Sequence, residues 1–320
     1  MKAAVYYQTG PPDVLRYEEV PDPPCTPGTV VVEVEAISIE GGDTLNRAGG
    51  EMTSSPHIVG YQCAGRIREV GDGVEDRQVG QRVVATMLSG SHAELVAVPS
   101  LVTWPVPEGA DIVAVACVPV AFGTADDCLF EFGHLRSDET VLVQAGAGGV
   151  GLAAIQLAKR AGATVLATAS SDDRLDRLAP LGLDHGINYS RADWVDAVRS
   201  ATAGRGVDLA VDSVGGRVLQ GSIQCLAYRG RCITVGNAGR EQRTLDVSPL
   251  ATGNQSLTGV FLGAEIVNER ARAMIGRLVD DVAAGRLQVV VDRTYPLSEA
   301  AAAHAYIESR QAVGRVVLVP

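Results

Sequence analysis

The chain has 320 residues, of which 46% are hydrophobic and 20% charged, and its formal net charge is −11. This is the composition of a globular protein with room for two domains, and it excludes a disordered chain. The acidic balance argues against a nucleic acid or an anionic lipid surface as partner, because both would be repelled.

The N-terminal MKAAVYYQTG has the pattern of neither a signal peptide nor a transit peptide, and no apolar stretch is long enough to span a bilayer. A cytoplasmic location is therefore expected. Residues 1–117 read as mostly β. TVVVEVEAIS (29–38), GRIREVG (65–71) and QRVVAT (81–86) are short, β-branched runs with partial alternation, separated by Pro- and Gly-rich segments such as PDPPCTPG. They predict an antiparallel or barrel-like unit. The six cysteines, Cys25, Cys63, Cys117, Cys128, Cys225 and Cys232, include no C-x-x-C pair and read as buried reduced thiols.

From residue 118 the pattern changes. ETVLVQ (139–144), ATVLATAS (163–170), VDLAVDSVGG (207–216) and GRCITVGNAG (230–239) are apolar runs alternating with helical segments. That alternation predicts a doubly wound parallel sheet over 118–263. LTGVFLG (257–263) and RVVLVP (315–320) are two further apolar runs, and 264–286 and 297–310 have helical patterning.

Gly146-Ala-Gly148-Gly-Val-Gly151 satisfies G-x-G-x-x-G between a predicted strand and a predicted helix, the context a dinucleotide site requires. In that motif Gly146 permits the tight turn. Gly148 admits a pyrophosphate, and Gly151 lets the helix pack close. The helix N-terminus supplies free N–H groups and a partial positive charge. The second strand ends at Ala169-Ser170-Ser171, without the acidic residue that binds ribose hydroxyls in NAD sites. Ser170 and Arg174 suit a 2′-phosphate, so NADPH is expected over NADH. Asp172 and Asp173 read as helix N-capping and first-turn charge.

Several motifs then stand in a familiar order: GDTLNRAG, VGYQCAGRIREVGDGV, VGQRVVA, SHAELVAVP, TVLVQAGAGGVG, GINY, VDLAVDSVGG and PLSEAAAAHAYIESRQAVGRVVLVP. With them, nearly the whole chain resembles the medium-chain dehydrogenase/reductase superfamily, in its zinc-free quinone oxidoreductase (zeta-crystallin-like) branch. The resemblance implies a GroES-like substrate domain, 1–117 completed by 264–320, and a Rossmann domain, 118–263. It also implies an active site in the cleft between them and a homodimer. Zinc alcohol dehydrogenases carry Gly-His-Glu where this chain has Gly60-Tyr61-Gln62, and Cys where it has Ile39-Glu40-Gly41. No metal is expected. Without that Lewis acid, a conjugated acceptor, a quinone or an α,β-unsaturated carbonyl, is the accessible substrate class.

Position by position, the resemblance implies a pyrophosphate on Gly148, Gly149, Val150 and Gly151, with Ser170, Arg174 and Tyr189 at the adenosine half. Thr124 falls near the nicotinamide ribose, and Gly236 and Asn237 at the cofactor edge. Phe261 and Leu262 fall where backbone holds the carboxamide. Tyr61 and Glu40 fall where two zinc ligands sit in the zinc branch, which makes both catalytic candidates. Tyr61 would donate a proton to, or orient, a substrate oxygen. Glu40 would bond Tyr61 or substrate, the alternative being a solvated loop carboxylate. Asp43 and Arg47 read as a structural loop pair, His92 as a surface or rim residue, and Arg315 as a surface cation. Ser213 and Ser222 have no His–Asp pattern near them, which leaves hydrolysis unsupported. The other readings are an enoyl reductase of secondary metabolism, a non-catalytic NADPH-binding sensor or crystallin-like protein, and a zinc alcohol dehydrogenase.

Overall fold

In the computed structural model, which describes residues 1–320 apart from positions 192 and 243, the chain divides into two units. One comprises 1–123 with 263–320, the other 124–262. The first opens with β1 (Lys2–Tyr6), β2 (Arg16–Glu19) and β3 (Thr29–Ser38), then α1 (Gly41–Gly49) and β4 (His57–Ile58). β5 (Gln62–Val70), β6 (Arg82–Thr86), β7 (Leu95–Pro99) and β8 (Thr103–Pro105) follow. β3 is the hub, pairing antiparallel with both β5 and β7. Only Glu33 of its ten residues is exposed, because both faces of this central strand are covered. Val30, Val32, Val34, Ile37, Ile67 and Val83 pack from these strands into one core.

The segment to which the sequence assigned no element is helical: α2 (Ile112–Val115), α3 (Val118–Asp126) and a π-helical turn, Asp127–Glu131. Residues 112–123 are apolar throughout, so no hydrophobic stripe with helical period appears there in the sequence.

The second unit is built from β9 (Thr140–Val143), α4 (Gly149–Arg160), β10 (Thr164–Ala169), α5 (Asp172–Leu178), β11 (His185–Asn188) and α6 (Trp194–Ala201). It continues through β12 (Val207–Asp212), α7 (Gly216–Gln224), β13 (Leu226–Thr234), α8 (Ser248–Gly253) and β14 (Ser256–Gly259), and α9 (Leu262–Glu265) begins at its end. Its six strands run in the order β11-β10-β9-β12-β13-β14, every pair parallel. This is the doubly wound Rossmann sheet. Its order reverses between β9 and β12, where such sheets bind ligands at the carboxyl ends of the strands. The expected strand over 257–263 stops at Gly259, and Leu262 already begins a helix.

The chain then returns to the first unit through α10 (Glu269–Ala283), β15 (Val291–Pro296), α11 (Ala300–Glu308) and β16 (Arg315–Val319). β16 pairs antiparallel with β3 at Val317–Ser38, which places the last strand beside the end of β3 and the start of α1. Among the described residues no helix is long and apolar enough to cross a membrane. All six cysteines are free, five of them buried and Cys25 half-buried.

Candidate functional site

The glycine turn follows β9 at the switch point. α4 begins with Gly148 as its N-cap, and no side chain caps it, so the first-turn N–H groups face outward for an acceptor. A Cβ on Gly148 would meet only the Ala145 carbonyl, at 3.3 Å, which leaves its outer side open to a pyrophosphate. Gly151 is required by packing, since a Cβ there would lie 2.4 Å from the Ala145 oxygen. Gly146 has a different role from the one its motif position suggests. The left-handed residue of the turn is Ala145, at φ 51°. Gly146 instead makes room for Ala167, whose Cβ would lie 2.9 Å from an added one.

A buried polar chain fixes this turn. Thr168 Oγ1 donates to Gln144 Oε1 (2.7 Å), Gln144 Nε2 donates to Ser222 Oγ (3.1 Å), and Ser222 donates to Asp212 Oδ2 (2.8 Å). Asp212 Oδ1 accepts the N–H groups of Val214 and Gly215. Burial pushes the Asp212 carboxyl up while these donors oppose it. Ser222 thus orders the ends of β9, β10 and β12.

At the tip of β10, Ser171 caps α5 by accepting the Arg174 N–H. The N-cap is therefore Ser171 and not an aspartate. Asp172 is bonded by Asn188 Nδ2 at 2.7 Å and ion-paired with Arg191, so its charge is already countered. Ser190 Oγ donates to the Ser170 carbonyl. Ser170, Arg174, Arg191 and the exposed Tyr189 therefore cluster around the β10 and β11 ends. Farther along, Gly215 has φ 77° and sits against Asn237, whose Oδ1 lies 2.6 Å from where a Cβ would be. Gly236 and Asn237 follow β13. Val260 donates to the Thr234 carbonyl, after which Phe261 is exposed and Leu262 buried. The sheet thus collects 148–151, Ser170, Arg174, Tyr189, Gly236, Asn237, Phe261 and Leu262 at its carboxyl edge. Thr124 lies outside the sheet, buried in α3.

The first unit carries a separate buried polar cluster. Glu40, at the N-cap of α1, is 5% exposed. Its Oε1 accepts from Arg315 and Gln62, and from Ser38 at 3.5 Å. Arg315 is 6% exposed, a buried cation rather than a surface one. It also donates to Ser38 Oγ (2.6 Å) and to the Ile39 carbonyl (2.7 Å). Burial pushes the Glu40 carboxyl up, and the Arg315 guanidinium against it works the other way. The solvated loop carboxylate is thereby corrected, because β16 runs beside β3 and buries the pair. Gln62 completes the cluster by accepting the Val120 N–H at 2.9 Å.

Tyr61 bonds Asn46 and not Glu40. Asn46 Nδ2 donates to Tyr61 Oη at 2.8 Å. Burial, and next the charge of Asp43, push the phenol up to about 12, so the hydroxyl keeps its proton across the physiological range. Asp43 and Arg47 lie on a helix and not in a loop. Asp43 accepts the Glu40 N–H at 2.8 Å, while Arg47 donates to the Gly10 carbonyl, His304 and Glu308. His92 is fully buried rather than at the rim. Its Nε2 lies 3.0 Å from His304 Nε2.

The comparisons with known proteins agree with this architecture. Residues 26–108 match the alcohol dehydrogenase GroES-like domain, and 149–280 match the zinc-binding dehydrogenase family. A 2-haloacrylate reductase of Burkholderia sp is 35% identical, covering 99% of this chain and 98% of that protein. The chain belongs to the medium-chain dehydrogenase/reductase superfamily, in its quinone oxidoreductase branch. A quinone oxidoreductase of Rattus norvegicus is 30% identical over 100% of this chain and 98% of its own. The crystal structure of an Escherichia coli quinone oxidoreductase complexed with NADPH has a TM-score of 0.94 at 28% identity, with 100% of both chains covered.

Within this family framework, sequence reasoning missed Arg191, Asn46 and the Thr168–Gln144–Ser222–Asp212 chain. Asn46 follows Gly42 by four residues and Asp43 by three, the spacing of one helix face. The signal existed, but only for a reader who had taken the glycine-rich GGDTLNRAG as a helix.

Proposed function

We propose that this chain is a zinc-independent, NADPH-dependent reductase that transfers hydride to a quinone or an α,β-unsaturated carbonyl acceptor. The observation that carries the reading is full-length likeness to a 2-haloacrylate reductase and to quinone oxidoreductases, one of them solved with NADPH. Haloacrylates and quinones share a carbon–carbon double bond conjugated to a carbonyl group, so the acceptor class follows from what those substrates have in common.

When bound, the reduced nicotinamide supplies the hydride. The N–H groups of Gly149, Val150 and Gly151, with the positive end of α4, would hold the pyrophosphate. Ser170 and Arg174 would receive the 2′-phosphate, and Tyr189 would flank the adenosine. Thr124, Gly236, Asn237 and the backbone of Phe261 and Leu262 orient the nicotinamide half. Tyr61, kept protonated, gives its proton to the acceptor oxygen as electron density moves there, and solvent reprotonates it. Glu40 acts through position only, its carboxylate being engaged by Arg315, Gln62 and Ser38. That engagement supports a metal-free reading, as does the poor zinc affinity of Tyr and Gln side chains. Among the described residues, no group of three or more His, Cys, Asp or Glu could hold a metal ion. The reading includes a cytoplasmic homodimer.

The test is cofactor oxidation by the purified chain against quinones, enones, enals and enoyl thioesters, with NADPH and NADH in parallel and with or without a chelator. The expected result is turnover of one conjugated class with NADPH, unaffected by the chelator. Tight NADPH binding with no turnover of any conjugated acceptor would favour a sensor. Two substitutions refine the test. Tyr61→Phe is expected to lower kcat about 10²-fold with NADPH affinity unchanged, and wild-type turnover would remove Tyr61 from the chemistry. Arg174→Ala is expected to cut the NADPH-over-NADH preference about tenfold through loss of a charge-assisted phosphate bond. An unaltered ratio would place the phosphate elsewhere.

A further inference from the structure

α1 holds Tyr61 at two points. Gly42 lies against the ring, where a Cβ would stand 2.4 Å from Cε2 and 2.9 Å from Oη. Asn46, one turn further along the same helix face, donates its Nδ2–H to Tyr61 Oη at 2.8 Å. The direction of this last bond matters. A phenol oxygen both accepts and donates, and a carboxylate or carbonyl at the position of Asn46 Nδ2 would take the hydroxyl hydrogen for itself. An amide N–H cannot accept it. Asn46 therefore fills the acceptor side of Tyr61 and turns the O–H bond away from α1.

We infer that Asn46 is a positioning residue for the reductase reaction, orienting the Tyr61 hydroxyl so that its hydrogen points to the acceptor oxygen. The inference rests on the reading of Tyr61 as proton donor. In the step itself, the acceptor's carbon–carbon π pair would shift toward oxygen as its β-carbon gains the hydride that a bound reduced nicotinamide would supply. That oxygen bonds the Tyr61 hydrogen as the Tyr61 O–H bond breaks, and solvent returns a proton to the tyrosinate. Asn46 exchanges nothing. It removes the alternative orientations in which the O–H points back at the helix. The Gly42 contact supplies the second constraint, since it sets where Oη lies while Asn46 sets where its hydrogen lies. The sequence hides the pairing, because positions 46 and 61 meet only when α1 packs under the start of β5.

The experiment is steady-state kinetics of Asn46→Leu, which keeps the side-chain volume and removes the donor, and of Asn46→Gln, which keeps an amide N–H. Each is measured alone and in a Tyr61→Phe background, with NADPH affinity as the check on folding. Expected is a fall in kcat of about tenfold for Asn46→Leu with the KM for NADPH unchanged, and partial rescue in Asn46→Gln. In the Tyr61→Phe background, Asn46→Leu is expected to have no further effect. Gly42→Ala, which displaces the ring itself, is expected to approach the loss seen in Tyr61→Phe. Wild-type kcat in Asn46→Leu, or an equal fall in the Tyr61→Phe background, overturns the inference and leaves the reductase reading standing. Wild-type turnover in Tyr61→Phe overturns the proton-donor reading, and the inference with it.

Discussion

Arg315→Met is expected to lower the unfolding free energy by about 3–5 kcal/mol, read as a lower urea midpoint at unchanged slope. The cation stands 6% exposed at the start of β16 against a carboxylate 5% exposed at the N-cap of α1. Removing it strands Glu40 in a site from which water is excluded. Ser38 loses a 2.6 Å donor and the Ile39 carbonyl a 2.7 Å donor in the same change. The paired substitution Glu40→Gln with Arg315→Met is expected to recover most of the loss, because neither charge then remains. Two single losses that simply add in the double variant would show that the groups do not interact. The pair also bears on activity. Gln62 bridges Glu40 to the Val120 N–H, and Tyr61 is its chain neighbour. A destabilised Glu40 is therefore expected to loosen Tyr61, the proposed proton donor, as well as the fold.

The second large effect is acid lability. Arg47 has only donors, so its bond to His304 Nδ1 (3.3 Å) requires that nitrogen to be unprotonated. The neutral His304 then carries its hydrogen on Nε2 and donates it to His92 Nε2. Protonating either ring would set two donors, or a second cation beside Arg47, in a buried space. Accordingly, burial pushes His92 down to about 3, and burial, His92 and Arg47 hold His304 well below the ordinary range. The sign follows. Both rings are neutral in the folded and unfolded chain above about pH 6.5, so nothing is lost there. As pH falls below that value the unfolded chain takes up protons that the folded chain refuses. Stability then drops, with a limiting slope of about 1.4 kcal/mol per pH unit per histidine. Between about pH 7.5 and about pH 5 the pair is expected to lose about 2–4 kcal/mol in urea unfolding, and His92→Asn is expected to flatten that dependence. A flat profile in the unsubstituted protein would mean that the two rings are not held neutral.

Both effects arise where the sequence was least informative. From the sequence His92 reads as a rim residue, Arg315 as a surface cation, and Glu40 as a catalytic candidate or else a solvated loop carboxylate, because polar residues are mostly exposed. Their burial comes from contacts between segments far apart in the chain. Arg315 meets Ser38 across 277 positions, and His92 meets His304 across 212. No local period announces such a meeting.

The Rossmann half of the protein was legible for the opposite reason. A parallel sheet is built from βα repeats, and each repeat announces itself locally, as an apolar run, a turn and a helical stripe. The strands at 140–143, 164–169 and 207–212 and the helix after the glycine turn could be read from such patterns. So could the absence of an acid at the end of the second strand, since chain order alone identifies that position. By itself, then, the sequence determined the Rossmann sheet, the place of its glycine turn and the family. Tertiary structure alone decided which residue of that turn is left-handed, that Asp172 is countered by Arg191, and that α1 presents Asn46 to Tyr61. It also decided that the Glu40 charge is spent on Arg315. Local propensity and motif spacing act along the chain and survive in one dimension. Burial, charge pairing and the direction of a hydrogen bond depend on which distant groups are brought together, and only the packed chain specifies that.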